Sequence, residues 1–170
     1  MNIINADKSN ITEWVELSVK LFPDHTFDEM YRAYHEFLTT KKEIGFLYYK
    51  DNKIVAFMNL SIRSDYVNGT DTSPVVFVEA IYVLPEYRKQ GIARELISFA
   101  EKFTKESGFT QLASDCLIEN TASEQFHKSC GFEANDRAIR FYEKCGFICD
   151  GTTKDSGFVN AKEIRYRLEL

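Results

Sequence analysis

The chain has 170 residues, 44% of them apolar and 28% charged, with a formal net charge of −5. This fits a single domain, 1–170, with a real core, and it excludes a disordered chain; no apolar run reaches the ~20 residues that cross a bilayer. The acidic excess argues against a nucleic-acid partner and suits a cationic small molecule.

Asn2 to Ala6 alternates and reads as an opening strand. Asn10 with Glu13 resembles a capping box, and Ile11, Trp14, Val15 and Leu17 then have helical spacing. Thr26 with Glu29 starts a second helix through Met30, Tyr34, Phe37 and Leu38. Ile44–Lys50 and Lys53–Arg63 flank the turn dipeptide Asp51-Asn52 and read as a hairpin. Ser64–Pro74 is a polar loop, and Val75–Leu84 is a β-branched central strand ended by Pro85. Gly91–Ser107 is helical and stops at Gly108; Thr110–Cys116 is a strand and Asn120–Ser129 a helix. Phe147–Thr153 and Glu163–Leu170 are strand-like. The expected fold is α/β (α+β), a mixed sheet flanked by helices.

Cys116, Cys130, Cys145 and Cys149 form no C-x-x-C pair, and no histidine stands at zinc-ligand spacing beside them, so no metal is expected. Met1–Asn10 carries no export pattern. Reduced thiols and a cytoplasmic location are therefore expected.

Arg88-Lys89-Gln90-Gly91-Ile92-Ala93 joins the central strand to the longest helix. Small residues at 91 and 93 let a phosphate approach the backbone, the helix start offers unpaired N–H groups, and Arg88 and Lys89 add charge. A pyrophosphate is a natural occupant.

On that turn the sequence resembles the GCN5-related N-acetyltransferase superfamily, whose coenzyme-A loop reads Arg/Gln-x-x-Gly-x-Gly/Ala; Arg88, Gly91 and Ala93 fill it. The resemblance implies acetyl-CoA as the acetyl donor, splayed central strands, and a pantetheine arm along Ile81, Tyr82 and Val83. A second signature, Asn-x-x-Ala-x-x-Phe-Tyr-x-x-x-Gly-Phe, is matched at Asn120, Phe126, Gly131 and Phe132, with His127 at the Tyr position. Asn120 would bond pantetheine, and His127 would serve the leaving thiolate.

Tyr66-Val67-Asn68-Gly69-Thr70, Ser73-Pro74, Phe77 to Pro85, Ala113-Ser114-Asp115 and Glu119-Asn120 resemble the aminoglycoside 6′-N-acetyltransferases. Dimers are common in that family, so a homodimer is an open expectation. The implied acceptor amine is an ammonium at neutral pH and must lose a proton before it attacks the thioester. Asp115 is expected to bind it as general base and Glu79 to support it, since acidic residues in apolar strands usually have a task. Trp14, Asp24 and Tyr66 are expected to line the sugar. An acetyltransferase for a polyamine or a peptide N-terminus, and a non-catalytic acyl-coenzyme-A sensor, stay open alternatives.

The Asn-to-Phe signature recurs 15 residues later, at Asn135, Ala138, Phe141, Tyr142, Gly146 and Phe147. The segment 133–170 is thus atypical. Asn135–Lys144 reads as an extra helix or Arg137–Glu143 as a strand, and Tyr142 competes with His127 for the thiolate.

Overall fold

In a computed structural model, residues 2–67, 69–117, 119–135 and 163–169 are described, the last segment and Asn135 by backbone only. Strands β1 (Ile3–Asn5), β2 (Ile44–Lys50), β3 (Lys53–Arg63), β4 (Val75–Val83), β5 (Gln111–Leu117), β6 (Glu133–Asn135) and β7 (Glu163–Glu169) form one sheet in the order β1-β2-β3-β4-β5-β7-β6. The pairing is antiparallel except for β4 against β5. A parallel neighbour needs a crossover, supplied here by the longest helix.

Helices α1 (Ile11–Leu21) and α2 (Phe27–Thr40) cover one face; α3 (Ile92–Glu106) and α4 (Thr121–Ser129) cover the other. Strand alternation fixes this assignment. On β2, Phe46 meets Phe99 and Phe103 of α3, whereas Gly45 faces Trp14 of α1. A Cβ at Gly45 would collide with the Trp14 ring, at Cζ2 and at 2.6 Å from Cη2, and stand 2.8 Å from the Ala6 Cβ, so glycine is what lets α1 approach the sheet.

The expected elements through α4 are present, and Glu163–Leu170 is a strand over its described residues. The α2 start is a full capping box between Thr26 and Glu29. The α1 start is not: Asn10 gives no side-chain cap, because its Oδ1 accepts from the Asp7 backbone at 2.8 Å instead. The first signature copy forms α4, and β6 follows it at once. The second copy beyond Asn135, Tyr142 and the expected strand at Phe147–Thr153 lie outside the described residues.

Candidate active site

The sheet forks at its parallel junction. β4 and β5 share the rungs Val76↔Leu112, Phe77↔Ala113 and Val78↔Ser114 and then part. β4 runs on against β3 to Val83, and β5 runs on against β7 to Leu117. Glu79 and Asp115 are the first residues past the last rung. Along Glu79–Val83 no described strand pairs the β4 edge facing β5, so its peptide groups open into the gap.

Glu79 is also a bulge. Asn59 pairs with Ala80 and Leu60 with Val78, so Glu79 has no opposite number on β3. An extra residue re-aims a side chain and bends the strand. Its carboxylate reaches the α1-covered face, where Arg63 donates Nε to Oε1 at 2.8 Å and Nη2 to Oε2 at 2.6 Å. Ser61 Oγ also donates to Oε1. The Arg63 guanidinium lies 3.5 Å from the Phe77 ring centre. Arg63 feels Asp115 and Glu43 as well as Glu79, and these interactions outweigh burial to raise its pKa. Asp115 shares the face of Ala113, the partner of Phe77, and is half-buried. The structure thus brings Glu79 and Asp115 together at the fork.

Behind them runs a buried relay. Trp14 Nε1 donates to Asn59 Oδ1 at 3.1 Å, and Asn59 Nδ2 donates to Glu43 Oε2 at 3.0 Å and to Tyr34 OH at 3.3 Å. Desolvation pushes the Glu43 carboxyl above its ordinary value and the Tyr34 hydroxyl up to about 12. Arg63, Ser61, Asn59 and Glu43 were not singled out from the sequence. A signal existed for one of them: Asn59 is a polar residue inside the apolar run of β3.

The turn before α3 suits a diphosphate. Gly91 is the N-cap at φ +86°, with no side-chain cap and nothing within 4 Å of a Cβ placed there. The first N–H groups of a 15-residue helix therefore lack a side-chain acceptor, at the positive end of its dipole. Lys89 is also left-handed, at φ +59°. Arg88 folds back, donating Nε to the Val83 carbonyl at 2.9 Å with its guanidinium 5.5 Å from the Tyr82 ring centre. Gln90 is tied to Lys50 Nζ at 2.6 Å, so it braces the turn against β2. Ile92 is buried in the core and can offer a ligand only its backbone, whereas Ala93 is half-buried. Ile81 and Tyr82 are half-buried and Val83 buried on the open stretch of β4. The uncapped helix start and the open strand edge fit a coenzyme-A molecule.

Two expected ligand contacts need correction. His127 is only 2% exposed. Its Nδ1 lies 2.7 Å from the Ser123 carbonyl, so it carries the proton, and Nε2 accepts from Ser114 Oγ at 3.0 Å. Burial lowers its pKa. It pins α4 to the last rung of the fork on the α3 side, with no exposed nitrogen for a thiolate. Trp14 is 0% exposed and forms the floor of the relay rather than a ligand-facing wall. Asn120 caps α4, its Oδ1 accepting from Ser123 N at 3.1 Å, and is exposed, so its amide nitrogen can still meet pantetheine as expected. Asp24 is exposed in the α1–α2 connection. Tyr66 is 80% exposed, next to Val67, which packs with Val75, Phe77 and Ala113 on the Glu79 face.

No described helix is long and apolar enough to cross a membrane, and the described residues hold no cluster of three metal-binding side chains. The family model "Acetyltransferase (GNAT) family" matches residues 11–132. An aminoglycoside N(6′)-acetyltransferase type 1 of Acinetobacter haemolyticus is 39% identical over 144 residues, 85% of this chain and 99% of that protein. The crystal structure of aminoglycoside 6′-N-acetyltransferase AAC(6′)-Ig from Acinetobacter haemolyticus is similar at a TM-score of 0.74 and 40% identity, over 78% of this chain and 91% of the other. AAC(6′)-Iy in complex with the bisubstrate analogue CoA-S-monomethyl-acetylneamine gives 0.73 and 37%, over 77% and 89%. The forked sheet with its uncapped helix start thus belongs to a member of the GNAT acetyltransferase family, among the aminoglycoside N(6′)-acetyltransferases.

Proposed function

We propose that this chain transfers the acetyl group of acetyl-CoA to the 6′-amine of aminoglycosides, with Asp115 holding the amine and taking its proton. One observation carries the reading: the fork opens at two carboxylates, Glu79 and Asp115, beside an uncapped helix start that suits a diphosphate.

Acetyl-CoA supplies an activated acyl carbon. The chain's own residues do the rest. The first turn of α3 neutralises the diphosphate with backbone N–H groups, and Lys89 adds charge at its edge. The open β4 edge aligns the pantetheine arm as an added strand would be aligned. Glu79 already accepts three hydrogen bonds from Arg63 and Ser61, so its oxygens are occupied and the carboxylate is held in place. Proton removal therefore falls to Asp115, and Glu79 stabilises the cationic acceptor electrostatically. Tyr66, exposed at the lip, offers a ring to the sugar, and Asp24 adds a distant negative charge. A homodimer belongs to the same reading, and sedimentation velocity reads it.

The test is thiol release from acetyl-CoA with kanamycin, tobramycin, spermidine and a peptide with a free N-terminus. Turnover with the aminoglycosides that collapses in Asp115→Ala supports the proposal. Turnover with spermidine or peptide alone overturns the acceptor.

A further inference from the structure

The acceptor side of the fork holds a carboxylate that the proposed chemistry does not use. Glu43 immediately precedes β2, and its side chain comes to the α1-covered face beside Asn59. We propose that Glu43 is a specificity-determining residue of the acceptor site, taking a second ammonium of a polycationic acceptor while the reacting amine lies at Asp115. The inference rests on the acetyl-transfer reading above.

The placement of Glu43 is imposed from the core. The indole N–H of Trp14 can only donate, so the Asn59 atom facing it is the carbonyl oxygen, and the Asn59 amide nitrogen must point the other way. That nitrogen meets Glu43 Oε2 at 3.0 Å. Asn59 is 2% exposed and Trp14 0%, so neither can easily turn. A buried indole, a buried amide and a half-buried carboxylate are locked in series.

Glu79 has Arg63 in a two-point ion pair, whereas Glu43 makes no ion pair within 4.0 Å among the described residues. Burial works most against ionisation of Glu43 and the field of Glu79 adds to it, while the Asn59 hydrogen bond and the charges of Lys42 and Arg63 act the other way. A fold serving stability alone would favour a neutral side chain there, because an unpaired carboxylate in a poorly solvated place is a cost. A ligand with several ammonium groups removes that cost when it binds, and a ligand with one does not.

The test compares wild type and Glu43→Gln, which keeps an oxygen for the Asn59 amide. Thiol release is followed with tobramycin, which carries several amines, and with 6-amino-6-deoxy-D-glucose, which carries one. The proposal expects the tobramycin-to-monoamine ratio of kcat/KM to fall about tenfold in the variant, mainly through KM for tobramycin. An unchanged ratio overturns it. The variant's Tm at pH 7 should hold or rise, since a half-buried charge without an ion pair is gone; a fall of several degrees would make Glu43 a structural anchor and overturn the proposal. If wild type releases thiol with neither acceptor, the acetyl-transfer reading fails instead. Calorimetric titration of tobramycin then still tests Glu43: binding about tenfold weaker in the variant supports it, and equal affinity overturns it.

Discussion

Arg63 grips Glu79 through two parallel N–H donors, Nε to Oε1 at 2.8 Å and Nη2 to Oε2 at 2.6 Å. The residues come from adjacent strands, and strand alternation puts Glu79 on the face of Phe77, over which the arginine lies. The side chains are 33% and 21% exposed, so solvent screens part of the attraction. Arg63→Met should lower stability by about 1 kcal/mol, and kcat/KM for the acceptor by about tenfold as Glu79 loses its fixed rotamer. Arg63→Lys should recover little of the activity, because an ammonium cannot reproduce a two-point fork. Steady-state kinetics on both variants checks this.

Gly91 stands at φ +86° with open space around it, so the cost of a side chain there is conformational rather than steric. Gly91→Val should destabilise the fold by about 1–2 kcal/mol. It should also raise KM for acetyl-CoA more than KM for the amine, since the α3 start is displaced. Denaturant unfolding and two-substrate kinetics read the two effects separately.

His127 gives the fold a pH dependence. Burial holds its folded-state pKa below the ordinary value of about 6.5 that applies in the unfolded chain. The unfolded state therefore binds more protons between the two values, and stability rises with pH across that window. As pH falls from about 6.5 through the folded value, this contribution is lost. His127→Gln should flatten the slope of Tm against pH in that range, which differential scanning calorimetry would detect.

Gly45 and Trp14 make the closest approach of α1 to the sheet. Gly45→Ala would press a methyl against the indole and the Ala6 Cβ, and overpacking of this kind costs about 1–3 kcal/mol. Because Trp14 orients Asn59, and Asn59 holds Glu43, the same variant should weaken discrimination among acceptors as well as lower Tm. Thermal melts together with the tobramycin and monoamine rates check both.

Much of the architecture was legible because hydrophobic period and turn residues act locally. Thr26 with Glu29 marked the start of α2, Asp51-Asn52 the hairpin, and Pro85 and Gly91 the passage from β4 to α3. Glu79 and Asp115 stood out as carboxylates in apolar strands, and the structure sets them at the fork. What stayed hidden depends on partners distant in sequence. Asn10 has the side chain of a cap, yet Asp7 claims its oxygen. Trp14 looked like a sugar platform because aromatic rings suit both cores and ligands, and only the Gly45 gap shows which. His127 looked like a partner for the thiolate because its spacing matches a signature, while its Nε2 is taken by Ser114 on another element. Arg63 and Glu43 could be paired with Glu79 only once the strand order and the bulge were known.

The most direct test of the central claim is a matched pair of acceptors, neomycin and paromomycin, which differ in a 6′-amine against a 6′-hydroxyl. Thiol release from acetyl-CoA is measured with each, and the product is mapped by NMR. The account predicts rapid release with neomycin, acetylation at the 6′-nitrogen, and negligible release with paromomycin. Equal rates with both, or acetylation of neomycin at any other amine, would contradict it.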